Sequence, residues 1–187
     1  MPAVLASPRR AAPGSSLRRR RVPSNAVNGR WRTRRFAIIA SQFNASISEA
    51  LVQGAAETLR RAGVPHRNVR LLWVPGAFEL PVVATRLAES RRAPDAIIAV
   101  GALIRGATPQ YEVLAHAVAQ GLSQVSVKTG VPVTFGIIVA TTVAQARARA
   151  GLPRRQAGGA MGNRGSEAAL AALATLRLLD DLAVSDT

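Results

Sequence analysis

From Phe36 onward the chain alternates short apolar runs with segments of helical spacing, and this alternation constrains its fold more than any other feature. Phe36-Ala-Ile-Ile-Ala40, Val69 to Val74, Ala96 to Val100 and Val131 to Val139 read as strands buried on both faces. The strand beginning at Ala96 is expected to end at Gly101 or soon after. Between the first two, Ser46-Ile47-Ser48-Glu49 has capping-box spacing. Ile47, Leu51, Ala55 and Leu59 follow at helical spacing, and Gly63 is the expected stop. Further helices are predicted from Leu80 to Ser90, from Thr108-Pro109 to Thr129, near Val143 to Ala150, and from about Ser166 to Leu182. Thr108 reads as the N-cap and Pro109 as the first helical residue of its helix. Doubly covered strands joined by helices imply parallel βαβ units and a three-layer α/β/α sandwich. Ligands of such sheets bind beyond the carboxyl ends of the strands. That brings Gln42 to Asn44, Pro75 to Glu79 and Ala102 to Gln110 together.

Composition removes several chemistries. The 187 residues suit one domain, and no apolar run is long enough to span a membrane. Without cysteine there is no thiol nucleophile, and two histidines, His66 and His116, cannot build a histidine-rich metal site. The net charge of +15 is lopsided, because ten of the 25 basic residues fall in residues 1–35, which hold no acid. That leaves +5 for the body. Residues 1–35, with Arg18 to Arg21 in a row, read as an Arg-rich disordered extension, and 36–187 as the folded domain. An upstream start, an organelle leader, or weak binding of nucleic acid or acidic cargo would each suit such a stretch. With no secretory signal in it, a cytoplasmic location is expected, a plastid second.

The three converging segments carry the candidate chemistry. Phe43, in a strand-to-helix loop, could stack on a ligand or staple the helix. Glu79 could accept hydrogen bonds from a polyol or sit at a helix N-terminus favoured by the dipole. Arg105-Gly106-Ala107-Thr108 could cradle a phosphate on free backbone N–H groups. No Gly-x-x-x-x-Gly-Lys-Ser/Thr and no Gly-x-Gly-x-x-Gly opening the first helix is present, which argues against nucleotide hydrolysis and dinucleotide binding. From the residues alone the reading is an α/β domain with a site for a small anionic or polyol ligand.

Six segments in order extend that reading. Ser41-Gln42-Phe43-Asn44, Val74-Pro75-Gly76-Ala77-Phe78-Glu79-Leu80-Pro81, Gly101-Ala102-Leu103-Ile104-Arg105-Gly106-Ala107-Thr108, Gly130-Val131-Pro132-Val133, Arg149-Ala150-Gly151 and Gly162-Asn163-Arg164-Gly165 together resemble the lumazine synthase family. The resemblance covers about residues 35–182. It implies a flavodoxin-like sandwich with a four-stranded parallel sheet, and a transferase of riboflavin biosynthesis needing no metal or redox cofactor. It implies homo-oligomers, pentamers or their multiples, with sites shared between subunits. By position, Phe43 would stack on the pyrimidine of 5-amino-6-(D-ribitylamino)uracil. Ala77, Phe78 and Glu79 would hold that substrate, with Glu79 on the ribityl chain. Ala102, Leu103 and Ile104 would read the ring edge through backbone groups. Ala107 and Thr108 would receive the phosphate of 3,4-dihydroxy-2-butanone 4-phosphate. Phe135 and Arg149 would reach in from the adjacent subunit.

Two departures accompany the resemblance. The family's acid/base histidine, two residues after this threonine, is Gln110 here, and Glu167 takes the place of the acid that supports it. Glutamine exchanges hydrogen bonds but does not titrate. His116, six residues along the same predicted helix, is rotated away, and His66 is expected in a surface turn. The stretch Leu152 to Met161 is longer than the family's and leaves open which of Arg154, Arg155 and Arg164 assists Arg149. An active synthase is the leading expectation. A non-catalytic shell-forming or ligand-binding scaffold is the alternative.

Overall fold

The computed structural model describes residues 27–152 and 162–185 and carries the expected α/β/α sandwich. Four strands, β1 (Phe36–Ser41), β2 (Val69–Val74), β3 (Ala96–Ile104) and β4 (Val133–Ala140), form one parallel sheet in the order β2-β1-β3-β4. The helices are α1 (Val27–Arg30), α2 (Ala45–Arg61), α3 (Leu80–Ala88), α4 (Gln110–Thr129), α5 (Val143–Arg149) and α6 (Arg164–Ser185). Short 3₁₀ turns precede β2 (His66–Asn68) and α3 (Ala77–Glu79).

The period-two alternation of strand side chains divides the core into two halves. Phe36, Ile38, Ala40, Ile98 and Val100 pack with Leu51 and Leu59 of α2 and with Ala169 and Leu173 of α6. Ala37, Ile39, Ile97 and Ala99 pack on the other face with Leu80 and Ala84 of α3 and Val118 and Leu122 of α4. Every residue of β1 is buried, as its uninterrupted apolar run requires.

Several boundaries differ from expectation. Asn44, at φ 60° and ψ 47°, turns the chain directly into α2, so Ser46 lies inside the first turn and caps nothing. Asparagine tolerates this left-handed conformation better than other non-glycine residues. Thr108 likewise makes no cap bond, since α4 begins after Pro109. Strand β3 ends soon after Gly101, at Ile104, its ladder with β4 carrying it that far, in keeping with expectation. Gly101 marks close packing: a Cβ there would lie 3.0 Å from the Cβ of Ser41.

Folded structure also reaches back into the stretch assigned to the extension. Trp31 is buried and meets Phe36 edge-on at 6.3 Å. Arg34 bonds to Asp95 at 2.7 Å and to Asp180 of α6, while the Arg35 amide donates to the second oxygen of Asp95. Residues 1–26, with the run Arg18 to Arg21, lie outside the described residues, as do Arg154 and Arg155. Among the described residues, no helix is long and apolar enough to cross a membrane.

Candidate active site

The sheet order reverses between β1 and β3, since the chain goes from β1 outward to β2 and then back across to β3. A crevice is expected at that point. It is enlarged by unequal pairing: β1 accompanies β3 only as far as Ala40–Val100, whereas β4 accompanies it to Ile104. The Arg105 amide donates to the Ala140 carbonyl, so odd-numbered backbone groups here face β4. By strand alternation, those of Ala102 and Ile104 face the gap that β1 leaves. Asn44 Nδ2 fills part of it by donating to the Ala102 carbonyl at 3.0 Å.

A cleft of about 490 Å³ occupies this place. Its walls include Phe43, Asn44, Ala77, Phe78, Glu79, Ala102, Leu103, Ile104, Thr108 and Gln110. Phe43 is 71% exposed and Phe78 61%, so neither ring is used for packing within the subunit. The staple reading of Phe43 therefore finds no support. Asn44's left-handed turn holds Phe43 at the loop tip, and Ser48 Oγ donates to the Phe43 carbonyl. Glu79 Oε2 accepts from the Gly76 amide at 2.8 Å at the start of the turn that leads into α3, and the same carboxylate walls the cleft. A Cβ at Gly76 would stand 2.9 Å from that oxygen, so a side chain there would push the carboxylate aside.

The segment before α4 splits. Gly106 and Thr108 line the cleft, Arg105 and Ala107 do not, and all four are exposed. Because Thr108 caps nothing, its hydroxyl is not committed to the helix. Gln110 stands in the first turn of α4, followed on the same wall by Tyr111 and Leu114. Tyr111 donates to Glu112 at 2.7 Å, and this bond raises the phenol above its ordinary pKa. Among the described residues that wall the cleft, Glu79 is the only ionised one. Neither histidine is among them: His116 turns its Nδ1 to the Glu112 carbonyl, and His66 sits in the turn before β2.

Phe135, Arg149 and Glu167 do not line this cleft. Phe135 lies midway along the edge strand β4, half-buried beside the α3–α4 core. Arg149 ends α5 and Glu167 lies in the first turn of α6. One carboxylate oxygen of Glu167 accepts from Arg149 at 3.1 Å and from Arg164 at 3.0 Å. Within one subunit, then, Glu167 serves two guanidinium groups and not Gln110. Sequence reasoning singled out neither Asn44 nor Tyr111 as a wall residue. Asparagine directly after a strand was a usable signal for the first, through its tolerance of a left-handed turn.

A parallel sheet with an aromatic-walled apolar cleft at its switch point defines a small-molecule α/β enzyme. Comparison with known proteins is more specific. Residues 33–180 match the 6,7-dimethyl-8-ribityllumazine synthase family, and the chain belongs to it. Three relatives bear the name 6,7-dimethyl-8-ribityllumazine synthase. The one from Halorhodospira halophila is 45% identical over 148 residues, covering 79% of this chain and 90% of the relative. That from Gemmatimonas aurantiaca is 46% identical over 79% and 85%, and that from Desulfotalea psychrophila 42% over 80% and 91%. The protein is a transferase of riboflavin biosynthesis.

Proposed function

We propose that this enzyme condenses 5-amino-6-(D-ribitylamino)uracil with 3,4-dihydroxy-2-butanone 4-phosphate to 6,7-dimethyl-8-ribityllumazine in sites completed by a neighbouring copy of the chain. The observation that carries this reading is the separation of the site into two incomplete parts. The cleft carries the exposed Phe43 and Phe78 rings, the Glu79 carboxylate and the backbone of Ala102 to Ile104, which suit a flat ring with a polyol chain. Among the described residues, none of its walls is Lys, Arg or His. The cation-bearing cluster of Arg149 and Arg164 stands elsewhere on the same subunit. A symmetric homo-oligomer, a pentamer or a multiple of it, brings one copy's cluster to the next copy's cleft.

In that arrangement the pyrimidine lies against Phe43 with its edge toward Ala102 and Ile104. The ribityl chain meets Glu79 and Phe78, and the phosphate meets Thr108, the start of α4 and the neighbour's Arg149. The neighbour's Phe135 closes over the ring. The amine adds to the ketone, water leaves to give an imine, phosphate is eliminated, and ring closure expels a second water. Holding two substrates in register supplies an effective molarity worth on the order of 7–11 kcal/mol. A general acid adds about 10²–10⁴-fold. Gln110 supplies no proton, so this enzyme runs mainly on juxtaposition.

Following lumazine formation from the two substrates tests the reading, and turnover no faster than the spontaneous reaction would defeat it. Gln110→His tests the mechanism. A histidine titrates near pH 6.5 and is expected to raise turnover about tenfold or more, with a new limb near neutrality in the pH–rate profile. A variant that folds and assembles but is no faster would favour the second reading, a ligand-binding scaffold, for which the absence of a titrating group at Gln110 is the specific observation.

A further inference from the structure

Asn163 stands where α2, α5 and α6 meet, and its amide is fully used. Nδ2 donates to the Ala50 carbonyl at 2.9 Å and to the Ala150 carbonyl at 2.7 Å, while Oδ1 accepts from the Ser166 amide at 3.1 Å. Its own backbone carbonyl accepts from the Glu167 amide at 3.0 Å. Glycines make room for it. A Cβ at Gly54 would fall 2.2 Å from Oδ1, and one at Gly165 would fall 3.0 Å from it and 2.0 Å from the Leu51 carbonyl oxygen. Gly151, at φ +72°, supplies the left-handed turn after α5 that L side chains rarely adopt.

The placement of these bonds gives them meaning. Ala150 directly follows Arg149, and Glu167 is the carboxylate on which both Arg149 and Arg164 rest. A single side chain thus ties the end of α5, which carries one guanidinium, to the start of α6, which carries the other and their shared anchor. Its third tie, to α2, holds both against the body of the fold. Losing it would let two short helix ends drift independently, and a displacement of about 1 Å in a positioning element costs on the order of 10²-fold in reactivity.

We propose that Asn163 is a positioning residue for the anion-binding pair Arg149 and Arg164, with Gly54 and Gly165 shaped to admit it. This rests on the reading of Arg149 as a phosphate-binding group. Asn163→Asp preserves size and the acceptor toward Ser166 but sets oxygen against oxygen at Ala50 and Ala150. Gly54→Ala leaves Asn163 intact and displaces its amide. Both variants, as assembled full-length proteins, are compared with the parent, with Arg149→Ala and with the Asn163→Asp/Arg149→Ala double variant. The expected result is a KM for the butanone phosphate raised about tenfold or more, with affinity for the ribitylaminouracil within about twofold of the parent. The double variant should fall below Arg149→Ala by less than Asn163→Asp falls below the parent, since only Arg164 is then left to misplace. Calorimetric affinity for inorganic phosphate gives the same comparison without turnover. Parental KM in both variants overturns the proposal, as does a loss of kcat and pyrimidine affinity in step with thermal stability. If Asn163→Asp does not assemble, Gly54→Ala carries the same readout. A parental KM in Arg149→Ala removes the underlying reading instead, and shows itself in that variant alone.

Discussion

The cleft at the carboxyl end of the sheet and the cluster at the joint of α5 and α6 are assembled on opposite principles. The cleft is apolar, walled largely by loop residues and backbone, and leaves two phenyl rings uncovered. The cluster is ionic, carried on helix ends, and internally satisfied: Glu167 binds Arg149 and Arg164 through one oxygen. Among the described residues the first region is lined by no Lys, Arg or His, and the second has cations already compensated in part.

Mixing subunits tests this division most severely. A Phe43→Ala/Glu79→Ala variant lacks a working cleft, and Arg149→Ala lacks a working donor. At substrate concentrations below their raised KM each is expected to turn over slowly, and co-assembly at equal ratio should restore about a quarter of parental turnover, the share of sites with both halves intact. No recovery would mean that every subunit closes its own site. Arg149→Ala alone comes next. Loss of a charge-assisted phosphate contact, about 1.5–3 kcal/mol, should raise the KM for the butanone phosphate and leave pyrimidine binding unchanged. Phe43→Ala should do the reverse, weakening pyrimidine binding by roughly 1–3 kcal/mol as for stacked bases. Its stability should change by less than about 0.5 kcal/mol, whereas the buried Phe36→Ala should lose about 3–5 kcal/mol. Denaturant unfolding of the two variants separates them.

The smallest effect concerns Tyr111, the single tyrosine of the chain. Its bond to Glu112 raises the phenol, so the folded state holds this proton more tightly than the unfolded one. The stabilisation is therefore complete below the ordinary tyrosine range and is lost as pH rises through the raised value. Ultraviolet titration should find phenolate forming later than in the unfolded chain, and Glu112→Gln should move it back. An unchanged titration would mean that the Tyr111–Glu112 bond does not form at the cleft wall.

Much of this architecture was readable beforehand, for reasons that particular residues make plain. Phe36 to Ala40 is apolar without a break and short, as a strand buried on both faces is, and Ile47, Leu51, Ala55 and Leu59 recur at the spacing of one helix face. The cleft loops could be named because topology alone places them at one end of the sheet. Signals of one or two residues misled. Ser46 and Glu49 have capping-box spacing, yet the left-handed Asn44 starts the helix earlier. Trp31 is a lone apolar residue among arginines and has no period by which to announce its burial. Arg149 and Glu167 lie 18 positions apart, and no spacing rule joins them.

The short reach of β1 beside β3 bears on how this enzyme can change over evolutionary time. Where β1 ends, the cleft is bordered by main chain, the peptide groups around Ala102 and Ile104, and on the proposed reading these are what a ring edge meets. Side-chain replacement leaves those groups in place, and among the twenty residues only proline deletes an amide hydrogen. Recognition written in peptide groups would be insulated from genetic drift, and a change at a neighbouring side chain such as Gln110 would leave those groups in place.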